Sequence, residues 1–172
     1  MNDSLRETPR FTEDQRMRQK WLWGLIIFST IVVWYALVRL VLVDIPDGSA
    51  SAVPWWLVAL LVLIGIGLPL MLGYARLRVA VFDDRIEIHY RPFTRKTIMI
   101  SEIEKAYARE YRPIGEYGGW GVRFGFAGGR AYNAYGNRGV QLELKSGKKV
   151  LIGSQRAEEL AEAIVRSPVI AR

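Results

Sequence analysis

The chain has 172 residues, of which 51% are hydrophobic, and its formal net charge is +7. Because it contains no cysteine, disulfides, thiolate metal sites and cysteine nucleophiles are excluded. Its single histidine, His89, excludes a histidine cluster for a transition metal.

Residues 1–20 are predicted to form a cytoplasmic N-terminal tail. Thr12 followed by Gln15 matches a capping box, which predicts a helix that begins at Thr12 and continues toward the next segment. Pro9 favours an extended lead-in to this helix. We expect residues 1–8 to be disordered.

Two long apolar segments, residues 21–43 and 55–74, are each predicted to cross a bilayer as a helix. At about 1.5 Å per residue, each covers the roughly 30 Å of a hydrocarbon core. Arg39 is their one charge; it lies about one turn from the segment end, where its side chain can reach the headgroups. A functional arginine inside the membrane is the alternative.

The second apolar segment contains Gly65, Gly67, Pro69 and Gly73. The glycines offer a smooth surface on which another helix can pack closely. Proline lacks a backbone N–H, so Pro69 is predicted to kink the helix. Together the two segments predict a transmembrane hairpin over residues 21–74.

The charges around this hairpin predict its orientation. The link, residues 44–54, contains two aspartates and no Lys or Arg, whereas basic residues precede the first segment and follow the second. The positive-inside rule therefore predicts a multi-pass protein of the cell (inner) membrane with both termini in the cytoplasm. The alternative is a signal peptide cleaved near Ala50-Ser51-Ala52, although the apolar stretch is longer than a signal peptide requires.

Beyond the hairpin the pattern becomes that of strands. Apolar residues recur at every second position, as at Ile86, Ile88 and Tyr90, and Asp83 with Asp84 predicts a tight hairpin turn. Further strands are predicted near residues 98–100, 104–111, 120–126, 130–134, 140–145 and 149–152.

A helical pattern closes the chain. Ser154 is a good N-cap, Leu160 and Ile164 recur at helical spacing, and Pro168 marks the end. The predicted fold is therefore an α+β domain over residues 77–166. It consists of a bent antiparallel sheet or partial barrel of about seven strands, capped by a C-terminal helix.

This arrangement resembles bacterial pleckstrin-homology-like domains, which often follow a pair of transmembrane helices in small membrane proteins. The resemblance rests on the strand count, the final helix and the run VQLELKSGKKVLIGSQRAEELAEAI at residues 140–164. Eukaryotic members that bind phosphoinositides have basic residues around the first hairpin loop, whereas this loop holds Asp83 and Asp84. Because two carboxylates repel a phosphorylated headgroup, the resemblance implies the fold and not the lipid specificity.

An aromatic and arginine-rich stretch over residues 107–132 is the candidate interaction surface. Its members are Arg109, Tyr111, Arg112, Tyr117, Trp120, Arg123 and Tyr132. The core of a small barrel with solvated arginines has the same composition and is the favoured interpretation. The loop at residues 113–119 is the best location for a functional surface.

Enzymatic signatures are weak in this sequence. The glycines of residues 119–125 alternate with larger residues in a strand pattern, whereas a dinucleotide loop requires a helix to follow. The spacing of Glu102, Glu104, Glu110 and Glu116 does not predict a catalytic pair. We therefore expect no catalysis, cofactor or metal.

The leading hypothesis is a membrane-anchored interaction module that binds a protein partner, a second copy of itself or anionic lipid. From Ala75 onward there are 18 Lys and Arg against 11 Asp and Glu, which predicts weak, salt-sensitive attraction to anionic headgroups with little headgroup selectivity. Nucleic acid is not expected, because no matching motif occurs. A small oligomeric transporter or channel subunit, or a membrane enzyme that uses residues 107–132, remains an alternative.

Overall fold

The computed structural model describes residues 8–48, 54–125 and 129–167. Its chain divides into two compact units, one of Arg18–Tyr74 and one of Met1–Met17 with Ala75–Arg172. We call them the helical unit and the β unit. The predicted disorder of residues 1–8 lies, apart from residue 8, outside the described residues.

The helical unit contains two helices that are long and apolar enough to span a membrane, Lys20–Asp44 and Trp55–Tyr74. The first consists of α1 (Lys20–Arg39) and a π-helical turn; the second consists of α2 (Trp55–Val62), a π-helical turn and α3 (Leu68–Tyr74). Within the most apolar 18-residue window of each helix, only 11% is buried in the first helix and 6% in the second. These helices therefore do not form the core of a soluble fold.

Glycines of the second helix lie against the first, as predicted. A Cβ at Gly65 would lie 3.3 Å from side-chain atoms of α1, and one at Gly73 would lie 3.5 Å from Trp23. Gly67 instead faces Leu63 of its own helix. The small residues at two of the three positions thus let the helices pack closely.

The helix predicted from Thr12 is wrong. Phe11–Arg16 is a strand, β1, which pairs antiparallel with β2 (Arg76–Val81) from Phe11↔Val81 to Arg16↔Arg76. Phe11 and Gln15 are buried on the same face of β1. The capping-box match is local, and the hydrogen bonds and burial that β2 supplies outweigh it.

The β unit has nine strands among the described residues, in two sheets. The first sheet has the order β1-β2-β3-β4 and the second has the order β5-β8-β9-β7-β6. The remaining strands are β3 (Arg85–Arg91), β4 (Thr94–Met99), β5 (Ile103–Glu110), β6 (Gly121–Phe124), β7 (Arg130–Asn133), β8 (Arg138–Leu144) and β9 (Lys149–Gly153).

The pairing differs in part from the prediction. The hairpin at Asp83 and Asp84 is confirmed, with the Phe82 N–H donating to the Arg85 carbonyl at 2.8 Å. The single antiparallel sheet is wrong, because there are two sheets and β7 pairs with β9 in parallel. Alternation identifies strands but not their partners. Part of the strand predicted at residues 120–126, and the predicted stop at Pro168, lie outside the described residues.

A core between the sheets is covered by the last helix, α5 (Ala157–Val165). Leu160 and Ile164 are fully buried, as their helical spacing predicts. Ser154 is not the N-cap that the sequence predicts, because the helix begins three residues later and Arg156 is its N-cap; the Ser154 hydroxyl accepts the Arg156 N–H at 2.9 Å. Fully buried strand residues complete this core: Leu77, Ile86, Ile88, Ile98, Val140, Leu142 and Ile152.

Contacts from β1 fasten this helix to the first sheet. The Glu13 carboxylate accepts the Ser154 hydroxyl at 2.5 Å and the Gln155 N–H at 2.9 Å. The Gln15 amide donates to the Gly153 carbonyl at 2.8 Å. Residues 10–16 of the predicted tail are therefore a structural part of the β unit.

Replacing a buried side chain of β1 tests this conclusion. Phe11→Ala should lower the free energy of unfolding of the β unit by about 3 kcal/mol, because it leaves a cavity at a side chain that is 5% exposed. Thr12→Ala, at the exposed neighbour, is the matched control and should change it by about 0.5 kcal/mol or less. Denaturant unfolding of the detergent-solubilised chain, monitored through hydrogen exchange in β2 and β3, measures the unfolding free energy of both variants. Equal stability of the two variants would mean that β1 does not contribute to the fold.

Candidate functional site

The segment after β5 folds over the outer face of the second sheet. It contains the short helix α4 (Pro113–Tyr117) and forms a second small core of Tyr111, Tyr117, Ala131 and Leu151. The two tyrosine rings meet edge to face with centroids 6.0 Å apart. Gln141 alternates with core residues on β8, yet it is 4% exposed because this segment covers it.

Arg109 fastens α4 to the sheet. Its Nε donates to Gln141 Oε1 at 3.1 Å, and its Nη2 donates to Glu116 Oε2 at 2.7 Å and to the Tyr117 hydroxyl at 3.3 Å. The Arg112 backbone N–H donates to the other Glu116 oxygen at 2.8 Å. The guanidinium is thus held by contacts within the chain.

These contacts also set the charges of the cluster. Burial is the largest single effect on the pKa of Arg109 and acts to lower it, but the hydrogen bonds and charges of Glu116 and Tyr117 together outweigh burial and the pKa is raised. The hydrogen bond from Arg109 lowers the pKa of Glu116, and burial raises the pKa of Tyr111 to about 12. All three pKa values move away from neutrality. None of these groups is therefore poised as a general acid or base at pH 7.

The rest of the predicted interaction surface is divided between the core and the surface. Tyr132 is 1% exposed and belongs to the main core, on the opposite face of the sheet from Tyr111. Trp120 donates its Nε1–H to the Gly136 carbonyl at 2.9 Å. Arg112 and Arg123 are exposed. Burial thus removes Tyr111 and Tyr117 from any contact surface, whereas Tyr132, though buried, borders a cleft beside Arg130. Arg112, Arg123 and part of Trp120 remain accessible.

The carboxylates singled out in the sequence lie apart. Glu102 lies in the turn before β5, and Glu104 and Glu110 lie toward opposite ends of that strand. Within the described residues, no group of three or more His, Cys, Asp or Glu side chains could hold a metal ion. The glycine-containing stretch includes strand β6, which pairs with β7.

A basic cleft that the sequence analysis missed lies elsewhere in the β unit. Its volume is about 1020 Å³, and its walls come from β4, the turn before β5, β6, β7 and the β8–β9 hairpin. One carboxylate, Glu102, lies among the described residues that line it. Its cations are Lys96, Arg130, Lys145, Lys148 and Lys149.

The backbone brings these cations together. The Lys145 N–H donates to the Glu102 carbonyl at 2.8 Å, which joins the β8–β9 hairpin to the turn before β5. Gly129 has φ +90°, and a Cβ there would lie 2.7 Å from the Lys149 carbonyl oxygen. Glycine therefore lets the chain approach β9 closely just before Arg130, which aligns with Val150 in the parallel pair.

Most of these cations lack an acidic partner. Lys149 Nζ lies 3.9 Å from Glu143. Among residues 8–48, 54–125 and 129–167, no carboxylate oxygen lies within 4.0 Å of the charged nitrogens of Lys96, Arg130, Lys145 or Lys148. One sequence signal could have indicated this cleft. It is the run Lys-Ser-Gly-Lys-Lys at residues 145–149, which connects two predicted strands.

The pairing of Arg109 with Glu116 predicts a pH effect on stability. Because folding lowers the pKa of Glu116, its contribution is present above the unfolded pKa of about 4.3 and is lost as pH falls through the lower folded value. Glu116→Gln should reduce the unfolding free energy at pH 7 by about 1 kcal/mol or less, since the Glu116 side chain is 37% exposed. The difference from wild type should shrink below pH 4.

Denaturant unfolding at pH 7 and at pH 3.5 measures this effect. Glu110→Gln is the matched control, because Glu110 is exposed and none of the described residues forms an ion pair with it. A Glu116→Gln deficit that is the same at both pH values would contradict the ion-pair explanation.

The comparisons with known proteins identify a family. No curated protein and no solved structure matches the sequence. One family model, described as a family of unknown function (DUF6141), matches residues 7–171. Because this match covers nearly the whole sequence, from before β1 to beyond α5, the chain belongs to the DUF6141 family.

Proposed function

We propose that this protein is a membrane-tethered, non-catalytic interaction module that holds its β unit on the cytoplasmic face of the cell membrane. The observation that carries the proposal is the insertion of two exposed apolar helices between the paired strands β1 and β2. In this proposal the β unit is a pleckstrin-homology-like domain that binds a protein partner, a second copy of itself or anionic lipid.

The exposure of the helical unit supports its insertion in a bilayer. Large apolar side chains are exposed along both helices and would be unfavourable in water. A helix that is apolar on all sides suits a lipid environment. Arg39 lies 3.6 Å from Asp44, so the charge near the end of the first helix has a partner. The exposed apolar residues include Phe28, Tyr35, Leu42, Trp55 and Leu70.

The strand register supports a hairpin with both termini on one side. Arg16 is aligned with Arg76 at the ends of β1 and β2. The chain therefore leaves the β unit and returns to it at neighbouring positions, about 5 Å apart between Cα atoms. Two spans satisfy this constraint, whereas one span would place β1 and β2 on opposite sides. The lack of Lys and Arg in residues 44–54 favours the cytoplasm as the common side.

The same pairing argues against a cleaved signal peptide. The candidate site, Ala50-Ser51-Ala52, lies outside the described residues. Cleavage there would separate β1 from the chain that forms β2 to β9. Phe11 and Gln15, which are 5% exposed, would then leave the β unit. The contacts of β1 therefore support an uncut chain.

Features of the β unit support the binding role. Two sheets followed by a C-terminal helix are compatible with a pleckstrin-homology-like fold, although the parallel pairing of β7 with β9 is a departure. The closed cluster around Arg109 and Glu116 lacks a group poised for proton transfer. A basic cleft in the same unit offers a place for a ligand.

Reporter fusions test the orientation. A phosphatase that is active only outside the cytoplasm should be active when inserted after Asp47 and inactive when fused after Arg172, because both termini are placed in the cytoplasm. Green fluorescent protein at the same two sites is the control and should give the opposite pattern. The chain should also remain in the membrane fraction after extraction with alkaline carbonate. Phosphatase activity after Arg172, or release by carbonate, would refute the proposal.

A further inference from the structure

We propose that the basic cleft is a binding site for a phosphate-bearing ligand, either a lipid headgroup or a soluble phosphate ester. This inference rests on the binding role proposed above and adds to it the site and the ligand chemistry. It derives from three features of the cleft: its concentration of cations, the chemistry of its hydrogen-bond donors and an exposed aromatic ring beside it.

The charge of the cleft favours a multiply charged anion. Five cations and one carboxylate line it among the described residues, and three of the cations lie within the five-residue segment 145–149. Like charges held this close repel one another, so a bound anion stabilises the arrangement. A concave surface of one sign also focuses the electrostatic field more than a flat basic face does.

The donors of the cleft suit phosphate. Lysine ammonium groups act as point charges on phosphate oxygens, and an arginine adds a planar pair of donors. Ser101 and Ser146 line the same cleft, and a serine hydroxyl can donate a further hydrogen bond. A dianionic phosphate has more oxygen acceptors than a carboxylate, so it can satisfy more of these donors at once.

An exposed ring lies beside these donors. Phe124 is 70% exposed, and the Arg130 guanidinium carbon lies 4.7 Å from its ring centroid. Arg130 Nη1 also donates to the Tyr132 hydroxyl at 3.4 Å, so this guanidinium is held in place. The ring offers an apolar contact for the organic part of a phosphate ester.

The acidic hairpin turn does not interfere with this site. Asp83 and Asp84 occupy the first hairpin loop, and their charge predicts little headgroup selectivity there. Neither residue lines the cleft. Arg10 pairs with the Asp83 carboxylate, and Arg85 lies 2.9 Å from that of Asp84. The negative charge that motivated the expectation is thus paired with arginines at a turn outside the cleft.

The test uses the full chain in nanodiscs of phosphatidylcholine, titrated with inorganic pyrophosphate and followed by calorimetry. Lys145→Gln with Lys148→Gln should weaken binding about 25-fold, because each lysine contributes roughly a factor of five. Both side chains are exposed and form no ion pair within the described parts of the chain, so the fold should be retained. If that variant does not fold, Lys96→Gln with Lys148→Gln makes the same test.

The matched control is Arg78→Gln with Arg91→Gln, which removes two exposed positive charges that form no ion pair within the described residues and lie outside the cleft. Binding by this control should stay within about twofold of wild type, because the screened interaction of distant charges is small. Equal losses in the two double variants, or no binding of pyrophosphate to wild type, would overturn the proposal. Preference for a polyglutamate peptide over pyrophosphate would overturn it in favour of an acidic protein partner.

A second arm distinguishes the two ligand sources. Discs that also contain phosphatidic acid should compete with pyrophosphate if the ligand is a lipid headgroup, and the cleft variant should abolish that competition. Pyrophosphate affinity that is unchanged by phosphatidic acid assigns the site to soluble phosphate esters. Binding is measured whatever the orientation of the chain, so failure of the cleft assignment is distinguishable from failure of the reporter-fusion test.

Discussion

The antiparallel pairing of β1 with β2 is the constraint on which the rest of the structure depends. It joins a segment before the helical unit to a segment after it, so the β unit is discontinuous in sequence. The side chains of β1 then reach further: Phe11 enters the main core, and Glu13 and Gln15 bind the start of the final helix and the end of β9. One short strand thus links both sheets and α5.

The two faces of the second sheet have different roles. Its inner face contributes Val140, Leu142 and Ile152 to the main core, while its outer face is covered by the segment that Arg109 fastens. The aromatic residues of that segment therefore mainly stabilise the fold. The cations of the basic cleft lie on β4, on β7 and around the β8–β9 hairpin, and the core residues Tyr132 and Val150 line the same cleft.

The sequence could predict the elements whose signal is local. Alternation located β3, and helical spacing identified Leu160 and Ile164 as buried on α5. Neither β1 nor the parallel pairing of β7 with β9 could be predicted, because both depend on partners distant in sequence. The cleft escaped prediction for the same reason: Lys96 and Arg130 join the 145–149 run only when β4 and β7 are placed beside the hairpin. The burial of Tyr111, Tyr117 and Tyr132 likewise requires knowledge of which face each strand presents.

The discontinuity of the β unit has a consequence for biosynthesis. The ribosome makes β1 before the apolar helices and makes β2 after them. In the proposed topology, β1 therefore has no pairing partner until the membrane segments have been inserted. A chain in which the second helix failed to insert would hold β1 and β2 on opposite sides of the bilayer. Its first sheet would then lack an edge strand and expose a template for aggregation. In the proposed topology, therefore, the β unit can be completed only after both helices have inserted.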